Sequence, residues 1–365
     1  MTIKVWDYSR EYKADKQEVL TAIQEVLESG QLILGENVKA FESEFAQYCD
    51  VSYGIGVASG TDALFLSLKA LGIGVGDEVV TVSNTAVPTV SAIVSTGAIP
   101  KFVDIDPSTY LIDVEQIESA ITCHTRCILP VHLFGQCADM DRIRSIAKKN
   151  NLFVVEDCAQ AHFAKYKDEL AGSMSDLGAF SFYPTKLLGA YGDGGIIITN
   201  QKVFESRLRR LRFYGMEKSY YANEHGYNSR LDELQAAILR KKLPKLNSYI
   251  EKRRLLAERY NQELADTSLV LPTVAENCSH AYYLYVCRHP NRDKIITELR
   301  RHEIYLNVSY PWPIHIMEGY GYLGYQEGDL PHTEKAAKEI FSLPMYPTLS
   351  FAEQDRFISI LSNQF

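Results

Sequence analysis

Lys186 stands at the end of Ser181-Phe182-Tyr183-Pro184-Thr185-Lys186, after an apolar run and among Tyr, Pro and Gly rather than other charges. A desolvated lysine loses its proton more readily, and the free amine can form a Schiff base with a carbonyl. Three further stretches suit the same chemistry. Ser59-Gly60-Thr61-Asp62 joins a strand-like run to a helix-like one, and the free N–H groups of a helix N-terminus attract phosphate. Val154-Val155-Glu156-Asp157-Cys158-Ala159-Gln160-Ala161-His162 ends an apolar run in a carboxylate. Asp157 there could hold a protonated ring nitrogen, and Gln160 could donate to a nearby phenolate oxygen. Asn228, Ser229 and Arg230 precede another helix-like run; Ser229 is a good N-cap, and its polar neighbours could reach an anion across a subunit interface. The glycines within Gly189-Ala190-Tyr191-Gly192-Asp193-Gly194-Gly195 would let backbone pack close to a flat ligand. Taken singly, each stretch reads equally well as a cap, a surface charge or a solvated amide. Their succession along one chain gives them weight.

Positioning such groups requires strands that end at one edge. Short β-branched runs at 54–57, 78–83, 101–103, 127–131 and 152–155 alternate with amphipathic runs at 63–71, 89–95, 114–120 and 140–150. That alternation predicts βαβ units and a mostly parallel sheet, whose ligands lie at the carboxyl ends of the strands. Runs at 180–183 and 195–199 predict two more strands, added at one edge. Helices are expected over 12–27 and after Gly35. A long helical stretch follows from Arg230 to Tyr260, broken at Pro244. Beyond it a strand over 281–287, a helix over 292–301 and a helix after Ala352 predict a smaller α+β unit. The division expected is a large domain over 1–245 and a small one over 246–365.

The chain has 365 residues, about two domains' worth, with 46% hydrophobic and 23% charged residues. This is globular composition with enough apolar mass for a core. A net charge of −8 argues against a nucleic-acid partner. No apolar run is long enough to span a membrane. Met1 to Arg10 has no apolar signal segment, and seven scattered cysteines lack a CxxC pair; a reduced cytoplasmic protein without a metal site is expected.

The motifs SGTDAL at 59–64, VVEDCAQAH at 154–162, SFYPTK at 181–186, GAYGDGG at 189–195 and NSRLDELQAAIL at 228–239 resemble those of the DegT/DnrJ/EryC1/StrS family of pyridoxal phosphate (PLP) nucleotide-sugar aminotransferases. The resemblance spans essentially the whole chain. It implies the α/β fold-type I architecture, with a mostly parallel seven-stranded mixed sheet flanked by helices, and a homodimer with shared active sites. Lys186 would hold the cofactor covalently and then act as acid and base. Asp157 would pair with the pyridine nitrogen and Gln160 with O3′. Gly60, Thr61, Asp62 and Ser181 would bind the phosphate, completed by Asn228 of the partner subunit. At Ala86 the family often carries an aromatic stacked on the ring, so another apolar group must cover that face. The resemblance further implies a nucleotide-linked ketosugar and L-glutamate as substrates. The loop Tyr214–Tyr221 looks like that of enzymes acting at C3 of dTDP-3-keto-6-deoxyhexoses. Tyr183, His162, Tyr221, Arg230, Tyr310 and His315 are the candidate substrate contacts, with Tyr310–His315 resembling a family substrate loop.

Other readings stay open at this point. A C4-aminotransferase on a UDP- or GDP-sugar, or a non-catalytic regulatory protein, would share the scaffold. Lys186 disfavours a relative that acts as a dehydratase with His in its place. Gly54 to Gly60 has the wrong spacing for a dinucleotide fingerprint.

Overall fold

A computed structural model describes residues 2–365. Helices α1 (Tyr8–Ser29) and α2 (Glu36–Tyr48) lead into strand β1 (Tyr53–Val57) and helix α3 (Gly60–Ala70). Then β2 (Glu78–Val82), α4 (Val87–Ser95), β3 (Ile99–Val103), α5 (Val114–Ala120), β4 (Thr125–Ile128), α6 (Met140–Asn150) and β5 (Phe153–Asp157) alternate as the hydrophobic pattern predicts. Strands β6 (Leu177–Ser181) and β7 (Gly195–Thr199) complete a seven-stranded sheet in the order β1-β7-β6-β5-β4-β2-β3. β7 is antiparallel to both its neighbours and the other pairings are parallel. The expectation that the last two strands extend an edge needs correction: they insert between β1 and β5, and β1 becomes the edge. β6 and β7 are buried along their whole length, as a strand with neighbours and helices on all sides must be.

α7 (Lys202–Leu211) follows the sheet, and the helical stretch after Arg230 divides as the proline dictates, into α8 (Glu233–Lys242), a 3₁₀ turn at Leu243–Lys245 holding Pro244, and α9 (Leu246–Glu263). A second core gathers Leu256, Tyr260, Tyr285, Leu299, Phe341 and Phe357. It is built from α9, β8 (Tyr285–Arg288), α10 (Arg292–Arg301), β9 (Ile340–Leu343) and α12 (Phe351–Ser362), with α11 (Pro331–Glu339) preceding β9. Two segments cross between the bodies. Ile3, from the N-terminus, is buried in the second core and pairs with Ile304. Ile314 and Leu330 pack against Val90 and Phe102 on the large sheet's flank.

Candidate active site

The carboxyl ends of β1, β2, β5 and β6 converge on a cleft of about 310 Å³ lined by Gly60, Thr61, Ala86, Asp157, Gln160 and Lys186, among others. At its first corner Ser59 caps α3: its side chain accepts from the Asp62 amide at 3.1 Å. The Gly60 and Thr61 amides, in the first turn, have no acceptor within the helix. A Cβ on Gly60 would stand 2.5 Å from Ser181 Cβ, so glycine is what brings the helix N-terminus and the end of β6 together. Ser181 lines the cleft beside them and accepts from the Tyr183 amide at 3.2 Å. This corner is a cup of backbone N–H groups and hydroxyls for a dianionic phosphate.

Asp157, the last residue of β5, is buried at the cleft floor. Its Oδ2 accepts from Thr89 Oγ1 at 2.8 Å and its Oδ1 from the Ala159 amide at 3.1 Å. Thr89 spends its one proton on the carboxylate, so Thr85 Oγ1, at 2.8 Å, donates to Thr89. Burial pushes the Asp157 carboxyl above its ordinary value, against the opposing pull of Thr89, Ala159 and Lys186. A cationic ring nitrogen at this spot would relieve that burial cost. Sequence reasoning missed Thr89 and Thr85. Their i,i+4 spacing across the start of α4 was visible, but their target lies 68 positions on.

Lys186 sits in a turn that closes through its amide to the Tyr183 carbonyl at 2.8 Å. Its ammonium lies 4.6 Å from the centre of the Tyr283 ring, and Tyr283 OH meets Thr185 Oγ1 at 3.1 Å. Lys186 has no carboxylate within ion-pair distance among the described residues. Gln160 is held at both ends: its Oε1 accepts from the Phe134 amide at 2.9 Å, and its Nε2 donates to Tyr310 OH at 2.6 Å. One Nε2 hydrogen is left for the cleft. Apolar walls come from Ala86 and Pro88 on one side and Val131 and Ala159 on the other.

The cleft thus gathers Gly60, Thr61, Asp157, Gln160, Ser181, Tyr183 and Lys186, with Tyr310 behind Gln160. The remaining sequence candidates lie elsewhere in the chain. The Asp62 carboxylate turns to Ser229 Oγ at 2.7 Å, and an acceptor of that kind cannot serve a phosphate. His162 is corrected from a pocket contact to a core residue: it is 1% exposed, packs against Phe45, Phe180 and Phe182, and neither ring nitrogen has a partner. His315 is likewise fully buried, bonded to Ser83 at 2.8 Å and Glu334 at 3.1 Å. It ties the 314–316 turn to the end of β2. Tyr221 is exposed on the 216–222 hairpin, Asn228 is exposed beside it, and the Arg230 guanidinium lies on the Phe213 and Tyr214 rings.

The glycines of 189–195 also make close approaches within the chain itself. A Cβ on Gly195 would strike the Ser59 carbonyl oxygen, one on Gly189 the Pro184 carbonyl oxygen, and one on Gly194 would meet Leu231 at 3.0 Å. Gly189 and Gly195 admit neighbouring backbone, and Gly194 admits the Leu231 side chain. Of the buried groups that a metal could attract, His132, Glu156 and Cys158 stand together. Glu156 is already satisfied by the Gly172 and Met174 amides, Ser175 Oγ and His132 Nε2. The arrangement braces the end of β5.

A phosphate cup, a buried carboxylate, an amide at the third corner and a lysine between apolar walls fit a flat, phosphorylated pyridine aldehyde. Fold and cleft define a PLP-dependent aminotransferase of fold type I. Residues 13–362 match the DegT/DnrJ/EryC1/StrS aminotransferase family, and the chain belongs to it. It is 52% identical to a dTDP-3-amino-3,4,6-trideoxy-alpha-D-glucose transaminase of Micromonospora megalomicea subsp. nigra, covering 98% of this chain and 97% of that one. A pleiotropic regulatory protein of Geobacillus stearothermophilus is 44% identical, with 98% and 97% covered. Among solved structures, S. venezuelae DesV in complex with a ketimine intermediate superposes with a TM-score of 0.98 at 40% identity, covering 100% of this chain and 98% of that one.

Proposed function

We propose that this aminotransferase moves the amino group of L-glutamate to C3 of a dTDP-linked 3-keto-6-deoxyhexose, giving the dTDP-3-amino sugar. The observation that carries the reading is the 52% identity, over nearly the full length of both chains, to a transaminase named for a dTDP-3-amino sugar. The presence of Lys186 and Asp157 in one cleft favours catalysis over a purely regulatory role.

In this reading the α3 N-terminus and Ser181 anchor the phosphate, which fixes the ring's position before any substrate arrives. Asp157, held by Thr89 and Ala159, keeps a proton on the ring nitrogen by charge pairing. Bound there, PLP supplies an electron sink for the charge left when an amino acid loses its α-proton. Gln160 donates to the ring's phenolate oxygen and, with Tyr310 behind it, holds that edge in place. Lys186 Nζ takes the proton from the donor's α-carbon. On the return leg it delivers a proton to C3 of the sugar. Ala86, Pro88, Val131 and Ala159 line the cleft and would shield a ring held there from water. The reaction is ping-pong: 2-oxoglutarate leaves before the ketosugar enters. Tyr183, 52% exposed at the mouth, is placed to meet the sugar or its diphosphate. A homodimer in which Asn228 of the partner subunit completes the phosphate site, working in the cytoplasm, belongs to the same proposal.

The test is an assay of the purified protein with L-glutamate and a panel of dTDP-, UDP- and GDP-ketosugars, the product position read by NMR. Activity confined to 4-keto substrates refutes the C3 assignment.

A further inference from the structure

Lys186 lines the cleft, and its Nζ lies over the Tyr283 ring, 4.6 Å from the ring centre. That is inside the roughly 6 Å over which an aromatic face attracts a cation. Among the described residues Nζ has no hydrogen-bond or ion-pair partner, so the ring is its one close contact of opposite polarity. Tyr283 is itself held firmly. Its OH meets Thr185 Oγ1, next to the lysine, at 3.1 Å. Its carbonyl accepts from Nη1 of Arg253, a buried residue of α9, at 3.1 Å. On either side of it, the Ala281 amide donates to the Gly135 carbonyl at 2.8 Å and the Leu284 amide to the Phe134 carbonyl at 3.3 Å. A Cβ on Gly135, whose φ is +107°, would stand 2.9 Å from the Tyr283 nitrogen, so glycine is what lets this segment close on the Leu133–Gly135 turn. The same turn fixes Gln160 through the Phe134 amide. One turn therefore sets both the ring against the lysine and an amide of the cleft.

A lysine that takes up a proton and gives it back must be held without being trapped. A carboxylate beside Nζ would favour the ammonium strongly and keep the proton there. An aromatic face attracts the ammonium much more weakly, through the ring quadrupole, and accepts no proton from it. It can fix where the nitrogen rests and still let the proton leave.

We propose that Tyr283 is the seat of the free Lys186 amine, a positioning residue whose ring holds the ammonium between its two proton transfers. The inference rests on the role given to Lys186 in the reading above and deepens it. The ring face carries the effect, and the hydroxyl aligns the ring through Thr185. Tyr283 thus acts through Lys186 and has no part in binding the donor.

The test compares Tyr283→Phe, which keeps the ring, with Tyr283→Met and Tyr283→Leu, which lose it; two ringless variants guard against a packing defect in one. The first readout needs neither cofactor nor turnover. Full-length protein freed of PLP receives brief pulses of acetic anhydride, which attacks neutral amines, and peptide mass spectrometry reads acetylation of Lys186 against the other lysines. At about pH 7.5 the ringless variants acetylate Lys186 roughly three- to tenfold faster than Tyr283→Phe, because the ammonium has lost its seat. At about pH 11.5, where a lysine is neutral with or without the ring, the difference vanishes. The second readout is the half-reaction with L-glutamate in the PLP-loaded protein. There kcat falls roughly tenfold in the ringless variants while KM stays within about threefold, and Tyr283→Phe keeps both within a few-fold. Equal or slower acetylation without the ring, a difference that persists at high pH and so reports access alone, or a loss carried by KM overturns the proposal. If acetylation follows the expected pattern but glutamate fails as a donor, the role of Tyr283 stands and the donor reading alone falls.

Discussion

Thr89→Val isolates the hydroxyl that holds Asp157. Valine keeps the shape of the threonine side chain and removes the bond of 2.8 Å to Oδ2. It also leaves Thr85 Oγ1, buried, without its partner. A hydrogen bond to a charged group contributes about 1.5–3 kcal/mol, and an orphaned buried hydroxyl adds about 1–3. Asp157 is already pushed toward its neutral form by burial. Losing the bond removes a group that favours the charged carboxylate and so pushes Asp157 further the same way. A neutral Asp157 no longer charge-pairs with the ring nitrogen. PLP affinity should therefore drop about 10- to 100-fold, and the half-reaction with glutamate should slow by a similar factor. Thr89→Ser, which keeps the hydroxyl, should stay within a few-fold on both measures. Equilibrium dialysis of PLP and stopped-flow absorbance give the two numbers. A thermal melt of the cofactor-free protein separates a local effect from general unfolding. Thr89→Val with native PLP affinity and a native half-reaction rate would refute the view that Thr89 governs Asp157.

Three more predictions follow from the geometry. Lys186→Ala should abolish transamination while leaving the apoprotein's melting temperature nearly unchanged, because the side chain makes no ion pair; full transamination by that variant, assayed by mass spectrometry, would sink the assignment. Gly60→Ala places a methyl 2.5 Å from Ser181 Cβ, so it should lower stability by about 1–3 kcal/mol in urea melts and weaken PLP binding at least tenfold. Burial holds His162 down at about 3 against an ordinary 6.5: the unfolded chain gains a proton below about 6.5 that the folded state refuses. Stability therefore falls as pH drops from about 6.5 toward 3, by up to about 1.4 kcal/mol per pH unit. His162→Leu should remove one group's share of that slope in urea midpoints measured from pH 7 to 4, and an unchanged slope would contradict the burial argument.

Strands and helices of the alternating region were readable because each carries its own period, and Pro244 announced the break between α8 and α9. Strand order was not, because β6 and β7 are apolar on both faces and say nothing about who their neighbours are. The same limit applies to side chains. Lys186, Asp157 and Gln160 could be picked out because they interrupt apolar strand ends. His162 and His315 looked equally chemical but are consumed by packing and by the Ser83–Glu334 contact, which sequence does not display. Thr89 and Tyr283 were overlooked for the opposite reason: nothing local marks a threonine in a helix as reaching Asp157 or a tyrosine in a loop as lying against Lys186. The glycines of 189–195 drew attention, but sequence does not display what they approach within the chain, the Pro184 and Ser59 carbonyls and the Leu231 side chain.

The sheet order also has a consequence for how the molecule comes into being. β1 carries the phosphate corner at its end, and among the described residues its one strand partner is β7, where Val57 meets Gly195. On the ribosome, β1 must wait for those intervening residues, on the order of ten seconds of synthesis. Throughout that interval its hydrogen-bonding edge is open, a template for mispairing with other chains. The cup cannot be completed earlier either, since Ser181 and the glycine that admits the Ser59 carbonyl come from the same late strands. PLP supplied to nascent chains should therefore be captured only after β7 has docked, which makes cofactor capture a reporter of finished folding rather than an aid to it.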